Sequence, residues 1–412
     1  FTDRLKDANV NTVTLFNSAS AATGQANASL FYLDYGGFRI LANGLRDTAF
    51  VDATIDVPGK DCVAGSSGNT DSDPDAAREL FGCVLANQNA SPLVGRFYPN
   101  VFLLNSSSMV PACSNVTYEG QAFGINATVS AMSSGTVVAA VVMPRYTAGV
   151  VVLGAENNNS GVNLSTRLAL NQAPAPSWTN GVYAITAPAA TFGRAAAPDG
   201  AFDLLDIGIS VTDATDGVTL GTPRNMRPAD ATACTSSTCT HQKLNGAPIK
   251  MRFGRVRLQN AFGSEKLALS VPVQAQYWNG SYFVSNSLDS CTALSVPAAQ
   301  TLASGVSPAG TAGLYFYPVD TAANGKNKLT STDTVPTLAS PLTAGQSTLQ
   351  FPAPQKPGWL DLILDVPDYL KYNWGNCSGQ GTDALPNDFP CARATFGIFG
   401  TNSPILYRRE NY

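Results

Sequence analysis

Residues 252–294 read RFGRVRLQNAFGSEKLALSVPVQAQYWNGSYFVSNSLDSCTAL, and this stretch decides the fold class. Apolar and polar residues alternate on both sides of Asn279-Gly280, a dipeptide typical of a two-residue β-hairpin turn. Such a turn predicts that Tyr277 pairs with Tyr282. The alternation slips by one residue at Gly254, which predicts a β-bulge. The stretch therefore indicates antiparallel β-structure.

One face of this hairpin is unusual because it carries both amide and aromatic side chains. Its members are Gln274, Gln276, Trp278 and Phe283. They form a candidate surface for a ligand or partner, since aromatic rings stack on sugars or on another protein. The commoner role of such rings is to fill a seam between two β domains. Both roles stay open at this point.

The same period-two pattern extends outward along the chain and is interrupted by turn-rich segments. We predict an all-β protein of tandem β-sandwich (Ig-like or Greek-key) domains, with long loops and at most one or two short helices. The helix candidate is 76–85, after Pro74. Residues 225–246 are predicted to be a long loop. The predicted domains are 1–94, expected to be part of a longer chain, 95–249 and 250–412.

The composition excludes several classes of function. Only 13% of residues are charged and the net charge is −4, so disorder and phosphate-driven nucleic-acid binding are not expected. No apolar run is long enough to span a bilayer. A single histidine, His241, excludes most zinc and Ser-His-Asp sites. A basic stripe near the hairpin is predicted to be a solvated sheet edge: Lys250, Arg252, Arg255 and Arg257.

The eight cysteines are expected to form disulfides, which are typical of exported proteins. They are Cys62, Cys83, Cys113, Cys234, Cys239, Cys291, Cys377 and Cys391. The favoured pairs close short loops: Cys377–Cys391, Cys234–Cys239 and then Cys62–Cys83. An alternative for Cys234 and Cys239 is a metal corner with His241.

Two kinds of candidate site contain carboxylates. The first places oxygen ligands at alternate positions, as a calcium loop does, on Asn69, Asp71, Asp73 and Asp75. Its simpler interpretation is a solvated turn before the predicted helix. The second is an acid/base pair, either Asp361 with Asp365 or Asp203 with Asp206. Neither spacing suits a glycosidase, so we do not expect an enzyme.

The stretch 252–294 closely resembles the MshQ family, which is encoded with the mannose-sensitive haemagglutinin (MSHA) type IV pilus of Gram-negative bacteria. Further similar motifs are GRFYPNVFLL at Gly95, VTYEGQAF at Val116, PDGAFDLLDIGISVTDATDGV at Pro198 and ARATFGIFGTNSPILYRRENY at the end. Where relatives carry an Asp-rich turn, this chain reads Asn373-Trp374-Gly375-Asn376-Cys377. A Cys377–Cys391 bridge would replace that turn.

The resemblance implies an extracellular, non-enzymatic protein at the bacterial surface. We expect a structural or adhesive component of an MSHA-like pilus, whose partners are pilus or outer-surface proteins and glycans, with calcium as the one candidate cofactor. The alternatives are a carbohydrate-binding module and a secreted glycoside hydrolase.

Overall fold

The computed structural model describes residues 5–7, 31–47, 58, 60–67, 80–136, 139–303, 306–308, 310–317, 327–374 and 387–397. Across these residues the chain is all-β, as predicted, and its regular elements are 26 strands and two short 3-10 turns. The turns are Ser165–Arg167 and Asp368–Leu370. No helix in this described part has the length and apolar character needed to cross a membrane.

The N-terminal part contributes five short strands. They are β1 Leu5–Asp7, β2 Gly36–Ile40, β3 Arg46–Asp47, β4 Leu85–Ala86 and β5 Val94–Phe97. Strands β1, β2 and β5 form one antiparallel sheet, and β3 pairs with β4. The aromatic rings of Tyr32, Phe38 and Phe97 pack together as a small core.

The helix predicted over 76–85 is absent from residues 80–85, the part of it that the structure describes. A disulfide joins Cys62 to Cys83, and the backbone nitrogen of Cys83 donates to the carbonyl of Val63 over 3.0 Å. These long-range contacts hold the segment extended until Leu85 begins β4. Tertiary pairing therefore overrides good local helix propensity.

The first sandwich contains two facing sheets. Its strands are β6 Val101–Val110, β7 Val116–Tyr118, β8 Ala122–Met132, β9 Val150–Asn157, β10 Leu168–Ala169, β11 Trp178–Thr179, β12 Val182–Phe192, β13 Phe202–Asp213, β14 Val218–Thr219, β15 Gln242–Lys243 and β16 Ile249–Arg252. One sheet has the order β10-β12-β8-β6, with β11 beside β12. The other has the order β14-β13-β16-β7, and both β9 and β15 also pair with β13. Alternate side chains such as Phe102, Ile125 and Ile207 are fully buried between the sheets.

The second sandwich repeats this plan with shorter strands. They are β17 Gly254–Leu258, β18 Ala261–Gly263, β19 Leu269–Trp278, β20 Phe283–Ser285, β21 Ala299–Thr301, β22 Gly313–Phe316, β23 Thr337–Leu338, β24 Gln346–Phe351, β25 Gly358–Ile363 and β26 Cys391–Phe396. One sheet has the order β17-β19-β24-β23, with β20 beside β19, and the other β18-β26-β25-β22-β21. Val271, Leu349 and Phe396 are fully buried between them.

Two local predictions fail for the same reason, which is pairing with distant strands. The predicted loop 225–246 contains β15, because Gln242 and Lys243 pair with β13. The phase slip at Gly254 is no bulge: the chain leaves the first sandwich at the end of β16 and enters the second at β17. Glycine is needed at this crossing because a β-carbon there would collide with the Tyr118 ring.

The two sandwiches are joined by a buried junction. Tyr118, at the end of β7, is only 2% exposed and packs in the core of the second sandwich. Its hydroxyl donates to Asp289 Oδ2 over 2.9 Å and accepts from Asn286 Nδ2 over 2.7 Å. A disulfide between Cys113 and Cys291 crosses the same boundary. We call these five residues the junction.

Candidate functional site

The structure brings all four predicted surface residues together on the outer face of the β17-β19-β24 sheet. Gln274, Gln276 and Trp278 alternate along β19, and Phe283 on β20 lies directly opposite Trp278, with ring centroids 5.4 Å apart. The side chains of Arg255 and Arg257 join the same face because these residues pair with Gln276 and Gln274. We call this set of six residues the glutamine face.

The predicted hairpin register is wrong, because the turn is two residues longer than the predicted Asn-Gly turn. Tyr277 pairs with Val284, not with Tyr282, so the turn contains four residues, 279–282. The Asn279 side-chain oxygen accepts hydrogen bonds from the backbone nitrogens of Ser281 and Tyr282, each over 3.0 Å. This local bonding favours the wider turn over the two-residue turn typical of Asn-Gly. The change brings the Trp278 and Phe283 rings directly opposite each other.

A chain of side-chain hydrogen bonds runs across the glutamine face. Arg255 Nε donates to Gln276 Oε1 over 2.9 Å, and Gln276 Nε2 donates to Gln274 Oε1 over 2.8 Å. Gln276 is only 5% exposed, so its amide is used inside this chain. Gln274 is half-buried at the end of the chain. Gln276 therefore positions its neighbours, and Gln274 is the amide better placed to meet a ligand.

Aromatic rings surround Arg255 at one end of the face. Its guanidinium carbon lies 3.6 Å from the Phe283 ring centroid and 4.9 Å from those of Tyr372 and Trp374. Burial lowers the pKa of Arg255 to about 10, which leaves the group charged at neutral pH. Phe283 also lies 6.3 Å from Phe253, whose ring faces a first-sandwich arginine. These rings therefore form part of a seam between the two sandwiches, which is the commoner of the two roles considered from the sequence.

A shallow polar groove of about 240 Å³ continues the face at its other end. Its walls come from three adjacent strands and the segment after β17, and are lined by Arg257, Gln259, Pro272, Val273, Gln274, Gln346, Ser347 and Thr348. Amide, hydroxyl and guanidinium groups donate and accept hydrogen bonds in the way that hydroxyl-rich ligands require. The sequence did not indicate Gln346 or Thr348, because their place beside β19 depends on pairing across about seventy residues.

The predicted basic stripe is a solvated edge only in part, because its residues lie on two different sheets. Arg252 is 4% exposed, forms an ion pair with Asp203 and lies 4.7 Å from the Tyr277 ring centroid. Arg255 is partly buried among the rings described above, and Arg257 lines the groove. The prediction holds for Arg257, which is exposed on β17, the edge strand of its sheet, and fails for Arg252, because β16 is an inner strand of the first sandwich.

The predicted calcium ligands Asn69, Asp71, Asp73 and Asp75 lie outside the described residues, so their geometry stays untested. Within the described ranges, no group of three or more His, Cys, Asp or Glu side chains is arranged to hold a metal. The metal corner is excluded because Cys234 and Cys239 form a disulfide, which leaves neither thiolate to bind a metal. The His241 ring is mostly buried, and burial lowers its pKa.

Three disulfides are fully described. Cys62–Cys83 and Cys234–Cys239 are both pairs that the sequence favoured. The third, Cys113–Cys291, joins residues 178 positions apart, and no local loop pointed to it. Cys391 is also disulfide-bonded, while its predicted partner Cys377 lies outside the described residues. The described disulfides thus brace the N-terminal part, the first sandwich and the junction.

Three of the four candidate acid/base carboxylates are engaged in ion pairs. Asp361 accepts from Arg393 Nε over 2.6 Å and from the Tyr317 hydroxyl over 2.9 Å. Asp203 pairs with Arg252, and Asp206 pairs with Lys243. Asp365 is exposed. Asp203 and Asp206 thus each contact a different cation, and neither is an unpaired carboxylate.

Residues 68–241 match the family model described as "DUF6701, third domain", and residues 252–411 match "DUF6701, fourth domain". No curated protein matches the chain. Among solved structures, FdeC, described as a broadly conserved Escherichia coli adhesin, is similar over 75% of this chain and 70% of its own. The sequence identity is 11% and the TM-score is 0.29, too low to carry an inference about function.

Proposed function

The chain carries the third and fourth DUF6701 domains, and from this premise we propose that it is a non-enzymatic, extracellular protein that acts as a structural and adhesive component of an MSHA-like type IV pilus. The family motifs that resemble MshQ support the pilus association. The disulfides support an exported location, because such bonds persist in oxidising compartments. Pilus proteins, outer-surface proteins and glycans are the proposed partners.

The observation that carries this proposal is the junction. Tyr118 of one sandwich is buried in the core of the other, and a disulfide spans the same boundary. Two domains joined in this way transmit force without rotating freely, which a surface protein under shear requires. The open glutamine face on the second sandwich supplies a surface that can contact a partner.

Attachment assays test the proposal. The gene is deleted and restored as wild type or as a variant lacking the junction disulfide, Cys113→Ser with Cys291→Ser. We expect the deletion to reduce piliation or surface attachment several-fold, the wild-type gene to restore it, and the variant to restore it only in part under flow. Unchanged piliation and unchanged attachment after deletion would refute the proposal.

Carbohydrate binding is the second candidate function, favoured by the polar groove at one end of the glutamine face and the partly exposed aromatic rings at the other. A glycan array probed with the full chain, with and without a calcium chelator, tests it. We expect Trp278→Ala to abolish binding and Tyr282→Ala to leave it unchanged, since Tyr282 is 62% exposed and lies in the turn outside the glutamine face. Binding to no glycan would remove this candidate. A chelator effect would support the calcium residues 69–75.

We also propose that the protein is not an enzyme. The candidate acid/base carboxylates that already form ion pairs support this part of the proposal. A screen with chromogenic glycosides tests the remaining alternative, a secreted glycoside hydrolase. Turnover that is lost in Asp361→Asn or Asp206→Asn would overturn the non-enzymatic assignment.

A further inference from the structure

Three charged side chains meet on the outer face of the first sandwich. Glu156 on β9 is directly opposite Asp206 on β13 in the antiparallel register. On the other side of β13, Lys243 of β15 is opposite Gly208, two residues beyond Asp206. Residues two apart on a strand share a face, and directly opposed residues do too. The three side chains therefore lie side by side across three neighbouring strands.

The two carboxyl groups are shielded from water by the covering segment 224–241. Glycines make room for it: a β-carbon at Gly208 would lie 2.7 Å from Met226 Sδ, and one at Gly154 would lie 2.6 Å from Pro228 Cγ. Beneath the segment, Asp206 is 8% exposed and Glu156 only 1%. The two carboxyl groups are thus buried on the outside of a sheet, whereas the Lys243 side chain keeps 32% of its surface exposed.

Within the cluster, Lys243 Nζ lies 2.5 Å from Asp206 Oδ2. Neither carboxylate oxygen of Glu156 has a hydrogen-bond partner among the described residues. Burial raises the pKa of Glu156, opposed in part by the charge of Lys243 and reinforced by Asp206 and Asp230. A buried carboxylate without hydrogen bonds is costly, and protonation lowers that cost. The arrangement is an amine in contact with one carboxyl group and beside a second, buried one.

We propose that Lys243 and Asp206 condense into an intramolecular amide cross-link, with Glu156 as the group that transfers protons. The reaction needs no co-reactant. A proton passes from the ammonium to the contacting carboxylate, and the neutral amine attacks Asp206 Cγ to form a tetrahedral intermediate. Glu156 donates a proton to the departing oxygen and takes one from the nitrogen. The Nζ–Cγ bond forms, one C–O bond breaks, and one water leaves.

The cross-link would have a clear mechanical consequence. It would tie β13 covalently to β15, which lies 37 residues later in the chain. The covering segment between them, with its Cys234–Cys239 bridge, would become a closed loop. Such a bond constrains the unfolded chain in the way a disulfide does but resists reduction. This inference stands on the geometry of the first sandwich and is independent of the proposed function.

The mass of the intact full chain tests the proposal directly. The protein is secreted into an oxidising compartment, purified folded, then denatured and reduced before mass spectrometry. We expect a mass lower than the sequence mass by one water molecule. Proteolysis should yield a branched peptide that joins the Lys243 and Asp206 segments, which excludes water loss by imide formation elsewhere. A folded wild-type chain with the full sequence mass and no branched peptide would overturn the proposal.

Variants then test each role. Lys243→Arg keeps the cation but removes the nucleophile, and Glu156→Gln keeps the size but removes the proton-transfer group, so both should lose the branched peptide. A matched control is Lys356→Arg, at the Lys356–Asp333 ion pair of 2.7 Å, which should keep it. Circular dichroism reports folding. A folded Glu156→Gln variant that still cross-links fully would contradict the role of Glu156. If a variant does not fold, the branched peptide of the wild-type chain still shows whether the cross-link forms.

Discussion

The junction and the glutamine face use similar residues in opposite ways. At the junction, Tyr118 reaches from one sandwich into the other, and both partners of its hydroxyl belong to the second sandwich. On the glutamine face, the hydrogen-bond chain from Arg255 through Gln276 to Gln274 stays within one sheet. Tyr118 is 2% exposed, whereas Trp278 and Phe283 keep part of their surface in water. The polar and aromatic groups that two domains share are almost fully buried, whereas the Trp278 and Phe283 rings on the outer face of one sheet remain partly exposed.

The largest effect that this comparison predicts is at Tyr118. Tyr118→Ala removes a buried ring and leaves Asp289 and Asn286 without its hydroxyl, so we expect the free energy of unfolding to fall by about 3–5 kcal/mol. Chemical denaturation measures it. The control Tyr282→Ala should change stability by less than about 0.5 kcal/mol, because that ring is 62% exposed. Equal losses in both variants would break the comparison.

The next effect is at the junction disulfide. Replacing Cys113 and Cys291 by serine should lower the free energy of unfolding by about 2–4 kcal/mol, because the bond closes a very long loop in the unfolded chain. The matched control replaces Cys234 and Cys239, which are only five residues apart. Thermal unfolding of both variants should show the larger loss for the junction pair. A larger loss of stability in the Cys234/Cys239 variant would show that the junction disulfide adds little to the stability that the contacts of Tyr118 provide.

The junction should also make stability depend on pH through the neighbouring Glu119. Burial raises its pKa from 4.5 to about 8, although Arg167 lies 2.7 Å away and opposes the shift. Between these two values the folded state binds more protons than the unfolded state, so the free energy of unfolding should fall as the pH rises from about 4.5 to 8.

Denaturation at several pH values measures this slope. Glu119→Gln cannot titrate and should flatten the slope; part of it should persist, because burial raises the pKa of Glu156 in the same direction. An unchanged slope in Glu119→Gln would show that Glu119 is not protonated in this range.

The smallest predicted effect concerns the glutamine face, the second of the two regions compared. Gln276→Ala breaks the hydrogen-bond chain on the glutamine face, with an expected loss of about 1 kcal/mol. The exposed Gln259→Ala is the control and should change stability by less than about 0.5 kcal/mol. Denaturation measures both, and glycan binding measured in parallel should weaken in Gln276→Ala. A loss as large as that of Tyr118→Ala would make the face a structural element.

Much of the candidate face could be predicted from the sequence because its signal is local. Alternation along β19 and β20 placed Gln274, Gln276, Trp278 and Phe283 on one face. The register was missed because the Asn279 side chain bonds to its own turn and widens it. Arg255 was misread because nothing nearby in sequence shows that Tyr372 and Trp374 surround it.

The sequence by itself predicted that the chain is all-β and favoured the pairing of Cys234 with Cys239, because strand alternation and short loops involve residues close together along the chain. Only the tertiary structure decided the junction, the Cys113–Cys291 bond and the cluster of Glu156, Asp206 and Lys243. Each of these depends on strand register, which brings together residues tens to hundreds of positions apart. The physical reason is that alternation specifies which face a side chain takes, whereas its neighbour across the sheet depends on which distant strand packs beside it.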